Sequence, residues 1–217
     1  MLAQFEFGSR AGDSMQIQVK NIKISVKVPN AKSLPEIVVS TKRFYPHFVV
    51  KQFNNFVQLS DSESSLRISF FKTRCFPLGA EPDRLDSNTN ISHINITGVV
   101  SWSDKDRALS ITAAILERSS DELCSRVDCI TASSCLGEKV FKPLQLSSLV
   151  QSFNHIQGFS ARYNPETFTG LCLYHIRGCT IVYSSGALLI IGRTSEEDCE
   201  YLANIVERRI IELQQSL

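Results

Sequence analysis

The chain has 217 residues, 43% of them hydrophobic and 21% charged, an ordinary balance for a folded protein with one sizeable core or two small ones. A net charge of +1 supplies no overall field to gather nucleic acid or a membrane surface. No apolar run approaches the roughly 20 residues of a membrane span, and residues 1–13 lack the basic-then-apolar pattern of a secretory leader.

Residues 1–15 read as a tail. From 16 to 28 the apolar set is Ile17, Val19, Ile22, Ile24, Val26 and Val28. This is a strand pattern whose period of two breaks once, between Val19 and Ile22. Residues 32–41 suit a short helix with Pro35 in its first turn. Residues 48–59 and 66–71 read as two strands joined by the polar cluster 60–64, and 73–92, rich in Pro, Gly, Asp and Asn, as a long surface loop. A strand at 94–97 follows, then a helix capped by Ser101 or Ser103 and running to about Arg118.

In the second half, 126–133 reads as a strand and 144–153 as a helix. Residues 169–176 and 180–183 form a hairpin around Arg177-Gly178-Cys179, and Ser184-Ser185-Gly186 turns into a strand at 188–191. Ser195 caps the last helix, where Cys199, Leu202, Val206, Ile210 and Leu213 make a stripe at helical spacing.

A short phrase occurs twice. An apolar run leads to Gly98 and to Gly192; each glycine is followed three residues later by a serine, Ser101 or Ser195, and three later again by an acid, Asp104 or Asp198. The offset is close to half the chain, so the sequence reads as two copies of one unit, 16–122 and 123–217. Each unit is strand, helix, three or four antiparallel strands, helix: an α+β architecture with helices on one face of a sheet and the other face open. On the second-half strands Ile181, Tyr183, Leu189 and Ile191 fall on one side while the other side is also apolar. Helices cover only one of these faces, and an exposed apolar face implies a partner.

Seven cysteines include no Cys-x-x-Cys pair, and Cys124, Cys129 and Cys135 fit no common zinc module. Cys172, Cys179 and Cys199 lie in apolar strand or helix patterns, so reduced, buried thiols in an intracellular protein are expected, and no metal or cofactor. In that setting the sequons at Asn90 and Asn95 carry no glycan. The four histidines sit in unrelated contexts, and no Ser-His-Asp, P-loop or paired-carboxylate constellation is visible, so the chain is not expected to be an enzyme.

Tyr163-Asn164-Pro165-Glu166-Thr167-Phe168-Thr169-Gly170-Leu171 resembles the stirrup of the TATA-box-binding protein (TBP) family, and Val182-Tyr183-Ser184-Ser185-Gly186 resembles that family's Ile-Phe-x-Ser-Gly turn. Leu188 to Gly192 and Ile94-Asn95-Ile96-Thr97-Gly98 are similar to its strands ending in Thr-Gly, and Lys20-Asn21-Ile22 to its opening strand. In order and duplication the likeness spans about 16–215, as for a strongly diverged member.

The resemblance implies two pseudo-symmetric repeats forming a saddle, with a concave antiparallel sheet on the DNA minor groove and helices on the convex side. It implies Phe48 and Phe70 as one pair of wedges between base steps, with Phe71 competing for the second place, and Phe168 and Tyr183 as the other pair. Asn21, Lys23, Asn95, Thr97, Cys129, Ile181, Leu189 and Ile191 would line the groove contact. Pro165, Glu166 and Thr167 would form a stirrup for a partner. Implied partners are double-stranded A·T-rich DNA, initiation factors of the IIB and IIA type and RNA polymerase, with no membrane. The implied place is the nucleus, or a cytoplasmic transcription site for a viral chain. Departures from the pattern are Cys129 where the family has a second central Asn, Ile191 in place of Thr, and few basic residues: Lys23, Lys51, Lys72, Arg177 and Arg193. They leave open a second role, an interaction module that has lost autonomous DNA binding.

Overall fold

A computed structural model describes residues 15–28, 32–72, 91–138, 140–176 and 178–216. Among these residues are four α-helices and ten strands, in the order strand, helix, four strands, helix, occurring twice. Internal contacts divide the chain into two compact units: residues 19–132 with 191–194, and 133–190 with 195–217 and the residues up to Gln18. The expected division at 122/123 follows the element order, whereas the contacts place most of the strand after it with the first-half unit. The loop expected at 73–92 lies outside the described residues except for 91 and 92, and so does the tail except for Met15.

In the first-half unit the elements are β1 (Gln18–Lys27), α1 (Leu34–Phe44), β2 (Val49–Gln52), β3 (Phe56–Ser60), β4 (Arg67–Lys72), β5 (Ile91–Val99), α2 (Trp102–Leu116) and β6 (Cys124–Cys135). The strands lie side by side as β2-β3-β4-β5-β1-β6. Alternation decides which face is core. Ile22, Ile24 and Val26 on β1, Val57 and Leu59 on β3, Ile68 and Phe70 on β4, Ile94 and Ile96 on β5, and Ile130 on β6 are all buried, beneath Ile37 of α1 and Ile111 and Ile115 of α2. Between Ile22 and Ile24 the register against β5 shifts, Ile22 facing Val99 and Ile24 facing Ile96, so the extra residue is on β5, beside Gly98 at φ 78°; the break expected between Val19 and Ile22 is a separate place, where half-buried Val19 and buried Ile22 take opposite sides. A bulge adds a residue on one strand and lets both flanking runs keep their apolar side inward.

The expected single strand 48–59 is instead a hairpin. Phe53, Asn54 and Asn55 turn the chain between β2 and β3, with the Phe53 amide donating to the Phe56 carbonyl at 2.9 Å and the Lys72 amide to the Asn55 carbonyl at 2.9 Å. Asparagines tolerate turn geometry that β-branched residues do not.

The other unit holds α3 (Leu146–Asn154), β7 (Phe159–Arg162), β8 (Leu171–His175), β9 (Gly178–Val182), β10 (Ala187–Arg193) and α4 (Glu196–Gln215), with strands in the order β7-β8-β9-β10. Ala161, Leu171, Leu173, Val182, Leu188 and Ile190 are buried on one face, with Leu149 and Phe153 of α3 and Cys199, Leu202, Val206 and Ile210 of α4. Strand β7 is an addition to the sequence reading, and Leu213, expected in the α4 stripe, is half-buried.

The two copies of the repeated phrase have the same local structure. Both glycines have positive φ, 78° at Gly98 and 95° at Gly192. Ser101 Oγ accepts from the Asp104 amide at 3.1 Å and Ser195 Oγ from the Asp198 amide at 3.2 Å. Each serine satisfies an amide that the first turn of its helix leaves open.

Of the six described cysteines, all free thiols, only Cys199 is buried; Cys124 and Cys135 are exposed and the others half-buried. Cysteines on strands that alternate between a core and an open face land on either, which corrects the expectation of buried thiols. No described helix is long and apolar enough to cross a membrane.

Candidate nucleic-acid interface

Strand pairing places the side chains of the first-half unit's open face in three rows. The first is aromatic: Phe56 lies opposite Phe71, Phe71 opposite His93, and His93 opposite Lys27. Phe53 stacks on Phe56 at 4.3 Å and Phe56 on Phe71 at 5.2 Å, with His93 a further 6.1 Å along. Phe53 is 45% exposed. The second row is polar and runs Lys51, Gln58, Ser69, Asn95, Ser25. The third carries Ser60, Arg67 and Thr97.

Two of the expected wedges are not on this face. Phe70 is fully buried and Phe48 only 6% exposed. Phe70 points to the core because its neighbours at 69 and 71 point away from it, and Phe48 packs with Tyr45 and His47 ahead of β2. Neither ring can enter a base step without unpacking the unit. The open side of β4 belongs to Phe71, the alternative for the second place. Phe53 is hidden in the sequence because the hairpin that exposes it reads as strand. A signal is present nonetheless, since Phe53 stands three residues before β3 as Phe168 stands three before β8.

The polar row ends in an unexpected group. Ser25 Oγ, which lies 3.5 Å from Asn95 Oδ1, also hydrogen-bonds to the Asp128 carboxylate, so Asp128 reaches the open face. Arg126 clasps the same carboxylate through Nε at 3.0 Å and Nη2 at 2.8 Å. Burial pulls the Asp128 carboxyl upward, but the hydrogen bonds from Ser25 and Arg126 and the charges of Arg126 and Lys23 outweigh it and hold the group below its ordinary range. It is therefore an anion at neutral pH. Asn21 accepts the Gly98 amide on Oδ1 at 2.7 Å, and Asn95 Oδ1 accepts from His93 Nε2 at 2.8 Å. Both amide oxygens are engaged and both amide NH2 groups remain donors. Lys23, Thr97 and Cys129 are half-buried.

In the other unit, Ile181 and Leu189 alternate with the buried Thr180, Val182, Leu188 and Ile190, so they share the open side with half-buried Tyr183; Ile191, which its contacts assign to the first-half unit, is half-buried. Phe168, 41% exposed, meets Tyr183 edge to face at 6.3 Å, so the second pair of expected wedges is brought together. Cys172 and Cys179 lie beside them on adjoining strands. Burial first, then the neighbouring Cys172, push the Cys179 thiol up to about 11, which makes it apolar lining rather than a nucleophile. Pro165, Glu166 and Thr167 are exposed in the loop between β7 and β8. Asn164 shapes this loop: its Oδ1 accepts from the Glu166 amide at 3.1 Å and its carbonyl from the Phe168 amide at 2.9 Å. Arg193 is half-buried and Arg177 lies outside the described residues.

These strand orders, with two helices on one face of each unit and, among the described residues, no element on the opposite face, define a TBP-like α+β fold. The chain is similar in structure to TBP from Methanococcus jannaschii, with a TM-score of 0.64 and 19% identity over 91% of this chain and 99% of that one. It also aligns to the regulatory subunit of aspartate kinase from Thermus thermophilus, ligand-free form, over 91% of this chain and 99% of that one, but at a TM-score of 0.27 and 12% identity this is no shared fold. No protein-family model and no curated protein matches the sequence.

Proposed function

We propose that the chain is a non-enzymatic DNA-binding protein of transcription initiation that inserts aromatic side chains into the minor groove of promoter DNA. The observation that carries this reading is the aromatic set on the open faces: exposed Phe168 with half-buried Tyr183 in one unit, and exposed Phe53 stacked with half-buried Phe56 and Phe71 in the other. Rings held at the ends of a sheet face suit insertion between base steps. Unstacking costs a few kcal/mol per step and is offset by the surface that the bent duplex lays on the protein. Phe53, Phe56 and Phe71 take the place first expected of Phe48 and Phe70. Ile181, Leu189 and Ile191 make the apolar contact that A·T pairs, lacking the guanine amino group, accept. Asn21 and Asn95 direct their amide NH2 groups at adenine N3 and thymine O2. The exposed loop Pro165-Glu166-Thr167 would dock a IIB-type factor, with IIA-type factors and RNA polymerase joining the assembly in a nucleus or at a viral transcription site.

The Asp128 anion and the small cationic set on the open faces favour a second reading, an interaction module without autonomous DNA binding. Phosphate contacts supply most non-specific affinity, and each one lost lowers the salt slope by about 0.9. A salt-titrated binding assay on an A·T-rich duplex, with the bend read by end-to-end fluorescence transfer, separates the two. Binding with a bend that Phe168→Ala plus Tyr183→Ala abolishes supports the DNA reading. Equal affinity for A·T-rich and G·C-rich duplexes without a bend, or no binding at any salt, supports the module.

A further inference from the structure

A carboxylate is an unusual group to place on a surface that meets a minor groove. At A·T pairs that groove presents only acceptors, adenine N3 and thymine O2, and a carboxylate is itself acceptor-only; at G·C pairs it adds one donor, the guanine N2 amino group. The Asp128 side chain is 17% exposed. One oxygen is held by Ser25 and the other by Arg126, whose own side chain is 80% exposed. Ser25 is fixed in register opposite Asn95, which lies opposite Ser69, so the carboxylate is attached to the sheet by a buried hydroxyl. Its other clasp is a solvent-exposed guanidinium, free to turn to a phosphate. The carboxylate keeps lone pairs beyond those that Ser25 and Arg126 occupy.

We propose that Asp128 is a specificity-determining residue that accepts a hydrogen bond from the guanine N2 amino group, so that this chain selects a site containing G·C where its polar row meets the groove. The inference rests on the minor-groove reading above. Donors at Asn21 and Asn95 and an acceptor at Asp128 together describe a mixed site rather than a uniform A·T tract. Facing an A·T pair, the same anion opposes two acceptors and loses affinity.

The test uses the full-length protein and base analogues that change only the minor groove. Four duplexes share one sequence, with the central pairs as A·T, G·C, inosine·C, which lacks the N2 amino group, or 2,6-diaminopurine·T, which adds it to an A·T pair. Fluorescence anisotropy at fixed salt should show G·C and diaminopurine·T bound about tenfold more tightly than inosine·C and A·T, the size of one well-made discriminating contact. Asp128→Ala should erase this difference while its circular dichroism stays that of the wild type. The analogue series on the wild type decides the matter even where the variant does not fold. Equal affinity for all four duplexes, or preference for the two lacking the amino group, overturns the inference and leaves minor-groove binding standing. Binding to none of them overturns both.

Discussion

Replacing Gly98 by alanine would set a Cβ 1.9 Å from the Ser65 carbonyl oxygen and 2.5 Å from its carbon, on a backbone with φ of +78°. Two costs add. An L-residue in the left-handed region loses about 1–2 kcal/mol. The overlap is with backbone, and that backbone has little freedom to retreat, because Ser65 Oγ donates to the Gly98 carbonyl at 2.6 Å and Arg67 is already in register with Thr97. Relieving it means prying β4 from β5 at the bulge, and the lost pairing and packing bring the total to about 4 kcal/mol or more, in the range reserved for severe lesions. Gly158 supplies the control. Its φ is +87°, and an added Cβ would meet nothing within 4 Å, so Gly158→Ala carries the conformational cost alone, about 1–2 kcal/mol. For a chain of this size each kcal/mol moves the melting temperature by about 2–4 °C. Thermal melts followed by circular dichroism, paired with urea unfolding, should therefore place Gly98→Ala at least twice as far below the wild type as Gly158→Ala. Equal losses would refute the close approach of 65 to 98 as the reason for glycine at this position.

Phe70→Ala should cost about 3–5 kcal/mol in urea unfolding, since it empties a fully buried ring, whereas Phe71→Ala, at a half-buried ring on the open side, should cost less and, on the proposed reading, weaken DNA binding. Asp61 has a side chain with no exposure and accepts from the Glu63 amide at 3.0 Å and Ser64 Oγ at 2.7 Å, with Arg107 at 3.1 Å. Burial pushes its carboxyl up, but those hydrogen bonds and the Arg107 charge win and hold it below the ordinary 3.8. A lowered folded value means that its contribution is complete above the unfolded value and lost as pH falls through the folded one. Urea midpoints measured from pH 5 to pH 3 should thus fall more steeply for the wild type than for Asp61→Asn. Ser195→Ala removes the cap of α4 and should lower stability by about 1 kcal/mol, read from the urea midpoint.

The elements legible in the sequence are those with a physical signature of their own. The α4 stripe and the serine caps each follow from periodicity or a cap residue, and the structure has both. What fails to show is set by tertiary context. An apolar run such as Phe48 to Leu59 reads as one strand until the Asn54-Asn55 turn is given weight. The two adjacent rings Phe70 and Phe71 cannot be told apart by composition, because a slip of one residue exchanges core and surface. Strand β7, four residues long, is too short for a period to emerge. Asp128 has no local signature at all. Nothing in Arg126-Val127-Asp128-Cys129 announces that its carboxylate meets Ser25, 103 residues earlier in the chain; only the sheet brings them together.

The open faces of the two units are chemically unlike, and this bears on what they can read. One presents Ile181, Leu189 and Tyr183, with a Cys179 thiol that stays protonated; the other presents Asn95, Ser25 and an ionised Asp128 beside Lys23. The element order strand, helix, four strands, helix recurs along the chain, and the two faces differ in side chains that the core does not constrain. Core positions tolerate only apolar residues of fitting volume, whereas open-face positions answer to the ligand. An apolar face accepts acceptor-only pairs of any order, and a face with donors and an anion distinguishes among them.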